Sequence, residues 1–242
     1  IEGLFFVFTK AIEKKPEKFI SDLKEFLELP MHYQKSLVSG FISPNLNLED
    51  ESYINNILIY ISKLIQKFED DSSLVEIGFV VEVHLFFQHL FKNEVKFSED
   101  NCELIESIIL DLEANTDFEA IEVKDLINIH SIKSYVLSTM IEYAIYSNEN
   151  LQEERDSFWF GKAKTIMQNY LNDDYSYLEL HLVLGKYSLK LFYSDGKWVK
   201  DNLNKIFLKD DNKLWEIAFY NYIFYSTGID KEFYFTLRQN GN

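Results

Sequence analysis

The chain has 242 residues, with 24 Lys+Arg against 40 Asp+Glu for a formal net charge of −16, and it is 47% hydrophobic and 16% aromatic. That apolar content excludes a disordered acidic tail, and three Pro and eight Gly are too few breakers for a many-stranded sheet with tight turns. The negative field repels polyanions and anionic lipid, and Arg155 and Arg238 are the only arginines available for bidentate contacts with phosphate or guanine.

Pro16, Pro30 and Pro44 stand fourteen residues apart, and because proline suits the first turn of a helix, the first two are expected to open short amphipathic helices. Another helix is expected from Leu48. Within it Ile54, Ile57, Leu58, Ile61, Leu64, Ile65 and Phe68 keep the i, i+3, i+4, i+7 rule through four turns, which a strand's period of two cannot imitate. Ser73 and Glu76 then have capping-box spacing ahead of Leu74 to Phe91, which is apolar on more than one face and so is expected to lie between neighbours. The same stretch, interrupted by Glu76, Glu82 and His84, is the nearest approach to the roughly 18 apolar residues of a membrane span.

Ser98 is placed to cap a helix carrying Leu104, Ile105, Ile108, Ile109 and Leu112, and Thr116 with Glu119 repeats the capping-box spacing before a segment ending near Ser147. Five further helical segments are expected at Phe158 to Leu171, Leu178 to Tyr193, Trp198 to Phe207, Leu214 to Tyr225 and Phe233 to Leu237, with Asp211 and Asp230 as N-caps. About ten helices with short connections imply antiparallel neighbours, and the economical arrangement is a stack of helical hairpins. The fold class is therefore all-α, a degenerate solenoid of the TPR or HEAT kind, with a compact helical bundle as the alternative. One helical region spanning 1–242 is expected, with a sub-boundary near 116 or 150.

His84, His89, His130 and His181 have no Asp, Glu or His three or four residues away, and Glu28 with His32 straddles Pro30, so no helical metal-ligand pair forms. Neither glycine-rich nucleotide signature is present. Ser-x-x-Lys occurs at Ser21/Lys24 and Ser194/Lys197 without the elements that accompany it in serine hydrolases. Cys102, the single cysteine, excludes an internal disulfide and lies among Asp100, Glu103 and Glu106, which oppose a reactive thiolate. No catalytic residue, cofactor or metal is assigned. The lone cysteine and the lack of any Asn-x-Ser/Thr sequon suit a reducing cytoplasm. The chain begins Ile1-Glu2-Gly3 without methionine, and no basic segment precedes Leu4 to Phe8, so it reads as a fragment of a longer polypeptide.

Aromatic residues crowd the C-terminal end. On the helix Leu214 to Tyr225, Trp215, Phe219 and Tyr222 share one face and are expected in the core, whereas Tyr220 and Phe224 project elsewhere. Together with Trp198, Tyr225 and Tyr234 on the neighbouring segments, Trp215, Tyr220 and Phe224 are the candidate interface residues, because tyrosine and tryptophan combine apolar area with a polar handle.

Three stretches carry a resemblance: Asn128-Ile129-His130-Ser131 leading to Ile141-Glu142-Tyr143-Ala144, Trp198-Val199 leading to Ile206-Phe207, and Leu214-Trp215-Glu216 leading to Tyr222. They resemble the degenerate α-solenoid of large bacterial multidomain proteins, including the C-terminal regions of sirtuin-like and STAND-type NTPase proteins of phage defence. The resemblance implies a sensing or scaffolding segment attached to an effector or nucleotide-binding domain, and it transfers no catalytic position. The expected function is noncatalytic recognition of protein, either a partner, adjoining repeats or a second copy, without nucleic acid or membrane. The alternative is a helical enzyme acting on a small molecule through unidentified carboxylates.

Overall fold

The structure, a computed structural model, describes residues 2–70, 77–118, 131–150, 158–173, 177–226, 228 and 230–239. Every regular element among them is helical, as expected: twelve α-helices and one 3-10 helix. They divide into two units, Ile1–Asp117 and Phe118–Asn242. Among the described residues no helix is long and apolar enough to cross a membrane.

The first unit contains α1 (Glu2–Lys14), α2 (Pro16–Ile20), a 3-10 helix (Leu23–Glu28), α3 (Met31–Phe41), α4 (Glu51–Asp70), α5 (Ile77–Lys92) and α6 (Glu99–Ala114). Pro16 is the first residue of α2, and Pro30, extended at ψ 148, stands just before α3. Helices α1, α3 and α5 pack in series, and α4 packs on α2, the 3-10 helix and α6, so alternate elements form two rows. The periodic stripe of α4 is buried from Ile54 through Ile65, and α5 buries Phe79, Val80, Val83, Phe86, Phe87 and Leu90 on several faces. At the α1–α3 crossing a side chain on Gly40 would bring its Cβ within 2.5 Å of that of Ile12, so glycine sets how closely the helices approach.

Two boundaries in this unit differ from the sequence reading. Helix α4 starts at Glu51 rather than Leu48, because Asn47 Oδ1 accepts the Glu49 amide at 3.2 Å and Asp50 Oδ1 accepts that of Ser52 at 3.0 Å, turns that hold the preceding residues out of the helix. No helix follows Thr116 directly, since residues 117 and 118 are non-helical. The Thr116 hydroxyl donates to the Leu112 carbonyl at 2.8 Å, tying the residue to the end of α6. Ser73, Glu76 and Glu119 lie outside the described residues. Ser98 caps α6 as its spacing implies, accepting the Asn101 amide.

The second unit holds α7 (Ile132–Asn150), α8 (Ala163–Asn172), α9 (Leu178–Ser194), α10 (Gly196–Ile206), α11 (Asn212–Tyr225) and α12 (Lys231–Gln239). Helix α9 is central, with α7, α10 and α11 packed on it and α10 also meeting α8. The helix expected to begin at Phe158 begins at Ala163. Phe158, Trp159 and Phe160 are buried in a non-helical approach, and Gly161 follows in the left-handed region at φ 42, which a continuous helix cannot contain.

Candidate protein-interaction surface

Helix α11 is fixed at its start by Asp211, whose Oδ1 accepts the amides of Lys213 at 3.0 Å and Leu214 at 3.1 Å. Its inner face is Leu214, Ile217, Ala218, Asn221 and Tyr222, all buried. That face is held against α9 at close range, and a Cβ on Gly185 of α9 would stand 2.2 Å from the Ala218 carbonyl oxygen. The outer stripe is therefore turned away from α9. Tyr220 is 36% exposed, Phe224 56%, and Ile223 and Tyr225 are exposed beside them. The rings of Tyr220 and Phe224 stack at 6.0 Å with an interplanar angle of 16°, a 220/224 pair on one helical stripe. Lys186 of α9 reaches over the Tyr225 ring, its Nζ 5.2 Å from the centroid, and places a cation at this edge.

Helix α12 repeats the division. Phe233 and Leu237 are buried, with Phe233 ringed by Tyr222 at 5.0 Å and Phe192 at 5.1 Å, whereas Tyr234 (47%) and Phe235 are exposed. Asp230 acts as the N-cap expected from sequence, its Oδ1 accepting the Phe233 amide at 2.8 Å. Its other oxygen accepts the hydroxyl of exposed Tyr193 from the end of α9. The Phe233 amide, with the Tyr193 hydroxyl second, holds the Asp230 carboxyl below its usual range, and the shared bond raises the Tyr193 hydroxyl. Helix α12 is thus anchored to α9 by a capping carboxylate as well as by its apolar face.

The six candidate interface residues separate. Tyr220, Phe224, Tyr225 and Tyr234 are exposed, and Trp215 is half-buried, stacked on Phe219 at 4.7 Å. Trp198 is corrected to the interior: only 4% exposed, it donates its indole N–H to Gln168 Oε1 at 3.0 Å and packs edge-on to Trp159. Gln168 and Asn202 also exchange a reciprocal pair of amide bonds, at 2.8 and 3.0 Å, so this corner joins α8 to α10. Phe219, expected in the core with Trp215, is likewise half-buried. Ile223 and Tyr193 were missed. Ile223 had a readable signal, since 220, 223 and 224 follow i, i+3, i+4 on the outer stripe.

His181 is buried and its Nδ1 must donate to the Ile206 carbonyl at 2.9 Å, while burial lowers its pKa against the opposing effects of that bond and of Asp211. His32 packs its ring on Phe5 and Tyr33, His84 and Cys102 are buried, and His130 lies outside the described residues. Burial, and then Glu142, raises the pKa of the Tyr187 hydroxyl, which donates to that carboxylate. Among the described residues no group of three or more His, Cys, Asp or Glu is arranged to hold a metal ion.

No protein-family model, curated protein or solved structure matches this chain.

Proposed function

We propose that the chain is a noncatalytic helical-repeat segment that recognises protein through the aromatic faces of α11 and α12, as part of a larger bacterial multidomain protein of the phage-defence type. The observation that carries this reading is the division of α11. One face is locked on α9, while Tyr220, Ile223 and Phe224 form an uncovered apolar stripe of the kind that marks interaction sites on folded proteins. Serial packing of α1, α3 and α5, and of α7, α9 and α11, supports a stacked-hairpin solenoid within each unit. An aromatic helix face of this kind offers apolar area with polar handles, which suits packing against a protein partner.

A photo-reactive phenylalanine analogue introduced singly at Tyr220, Phe224 and, as a control, exposed Asp201 tests the reading in the producing cell. Protein adducts should form at 220 and 224 and be absent at 201. Equal adduct formation at all three positions, or none at 220 and 224, would overturn it.

A further inference from the structure

Charge is unevenly divided along the chain. Residues 177–239, which contain α9 to α12, carry nine Lys+Arg against eight Asp+Glu, a net +1 in a chain of −16. Four of those eight acids are engaged within the fold: Glu179 is buried, and Asp195, Asp211 and Asp230 cap α10, α11 and α12. The field beside the aromatic faces is therefore set by cations. On α12, Lys231 and Arg238 bracket Tyr234 and Phe235 at i, i+3, i+4, i+7, and all four are exposed. At the end of α11, Lys186 lies over the Tyr225 ring, and Lys190 is exposed one turn further along α9. The exposed acids of α11 and α12 are Glu216 and Glu232, and Lys213 is exposed one turn before the first.

This combination selects an occupant. A second copy is opposed twice over. Whole chains at −16 repel one another, and the exposed apolar face of α1, with Leu4, Phe6 and Val7, carries its own cation, Lys10 Nζ standing 5.6 Å from the Phe6 centroid. A nucleic acid meets the same negative field, and Ile223 offers no ring for a base to stack on. Strand addition has no edge to use, since every regular element among the described residues is helical. A helix fits: Tyr220, Ile223 and Phe224 form an i, i+3, i+4 ridge that can interdigitate with a second helix, and carboxylates flanking its apolar side would meet the cations, with Arg238 able to donate in bidentate fashion.

We propose that the aromatic faces of α11 and α12 receive an acidic amphipathic helix of another protein. This rests on the interaction reading above and adds the chemistry of the partner. Tyr220, Ile223 and Phe224 take its apolar side chains, and Lys186, Lys190, Lys231 and Arg238 take its carboxylates.

The test uses the whole chain and three synthetic peptides of about five helical turns. Two share one face of Leu, Ile and Phe at i, i+3, i+4, i+7, flanked by Glu in the first and by Gln in the second. The third scrambles the Glu peptide so that no apolar face remains. Fluorescence anisotropy should show saturable binding of the Glu peptide, about tenfold tighter than the Gln peptide, although the net charge of the chain opposes it, and no binding of the scramble. Lys231→Gln/Arg238→Gln should bring the Glu and Gln peptides close to equal affinity, and Tyr220→Ser/Phe224→Ser should abolish binding of both, each with the helical signal kept. Equal affinity of the wild-type chain for the two peptides, no binding of the Glu peptide, or binding that survives Tyr220→Ser/Phe224→Ser would overturn the proposal. So would saturable binding of a single-stranded oligouridine lost with Lys231→Gln/Arg238→Gln, or a dimer in sedimentation that Tyr220→Ser/Phe224→Ser dissociates. Photo-adducts at 220 and 224 test the surface itself, so adducts alongside a failed preference for the Glu peptide would remove the acidic partner and leave the surface standing.

Discussion

Gly185 and Ala218 set how closely α9 and α11 cross: a Cβ added to Gly185 would stand 2.2 Å from the Ala218 carbonyl oxygen. A backbone oxygen on a packed helix cannot swing aside, so Gly185→Ala must drive α11 off α9. The expected cost is about 1–3 kcal/mol. Gly196, at the first residue of α10 with nothing within 4 Å of its added Cβ, is the control, and Gly196→Ala should hold or raise stability. Urea unfolding of the two variants checks the pair, and equal midpoints would contradict the crossing.

Trp198 and Tyr220 were grouped by sequence and are separated by structure, so their substitutions should behave differently. Trp198→Ala removes a buried indole and leaves Gln168 without its indole donor, for a loss of about 3–5 kcal/mol. Tyr220→Ser alone should change stability by within about 0.5 kcal/mol. Thermal melts of both would decide it, and a large loss at Tyr220 would place that ring in the core.

The helices were legible because their causes are local. The stripe from Ile54 to Ile65 is a fixed spacing of apolar residues, and the caps at Ser98, Asp211 and Asp230 each reach an amide three residues on. Trp198 was illegible as core because its partner Gln168 lies 30 residues away on another helix. The break before Ala163 was hidden in an apolar run, Phe158 to Phe160, that packs equally well without being helical. Asn101 gave no signal as a buried side chain, since its partner Glu51 lies 50 residues earlier. On the outer stripe of α11 the sequence did speak, because more aromatics occupy the helix than one buried face of about 100° accepts.

His181 gives the pH dependence. Its pKa in the folded chain is lowered from 6.5, chiefly by burial, so the unfolded chain takes up the proton first. Stability from this residue is complete above the ordinary value and is lost as pH falls through it towards the folded value. A ring titration followed by NMR should place His181 below 6.5 while the structure stays intact. A midpoint at or above that value would contradict its burial as a neutral donor to Ile206.

With a net charge of −16, the chain should show no saturable binding to duplex DNA or RNA at physiological salt, because the phosphate contribution has the wrong sign. Fluorescence anisotropy with a labelled duplex checks this, and salt-sensitive micromolar binding would refute it.

The central claim is that the exposed stripe of α11 serves association and not folding. Tyr220→Ser/Phe224→Ser, made together, tests it most directly, with far-UV circular dichroism and adduct formation from a photo-reactive residue at exposed Tyr234 measured on the same protein. The account predicts an almost unchanged helical signal with adducts strongly reduced. Loss of the helical signal would show that the two rings are core, and full adduct yield from a folded double variant would show that they are not part of an interface.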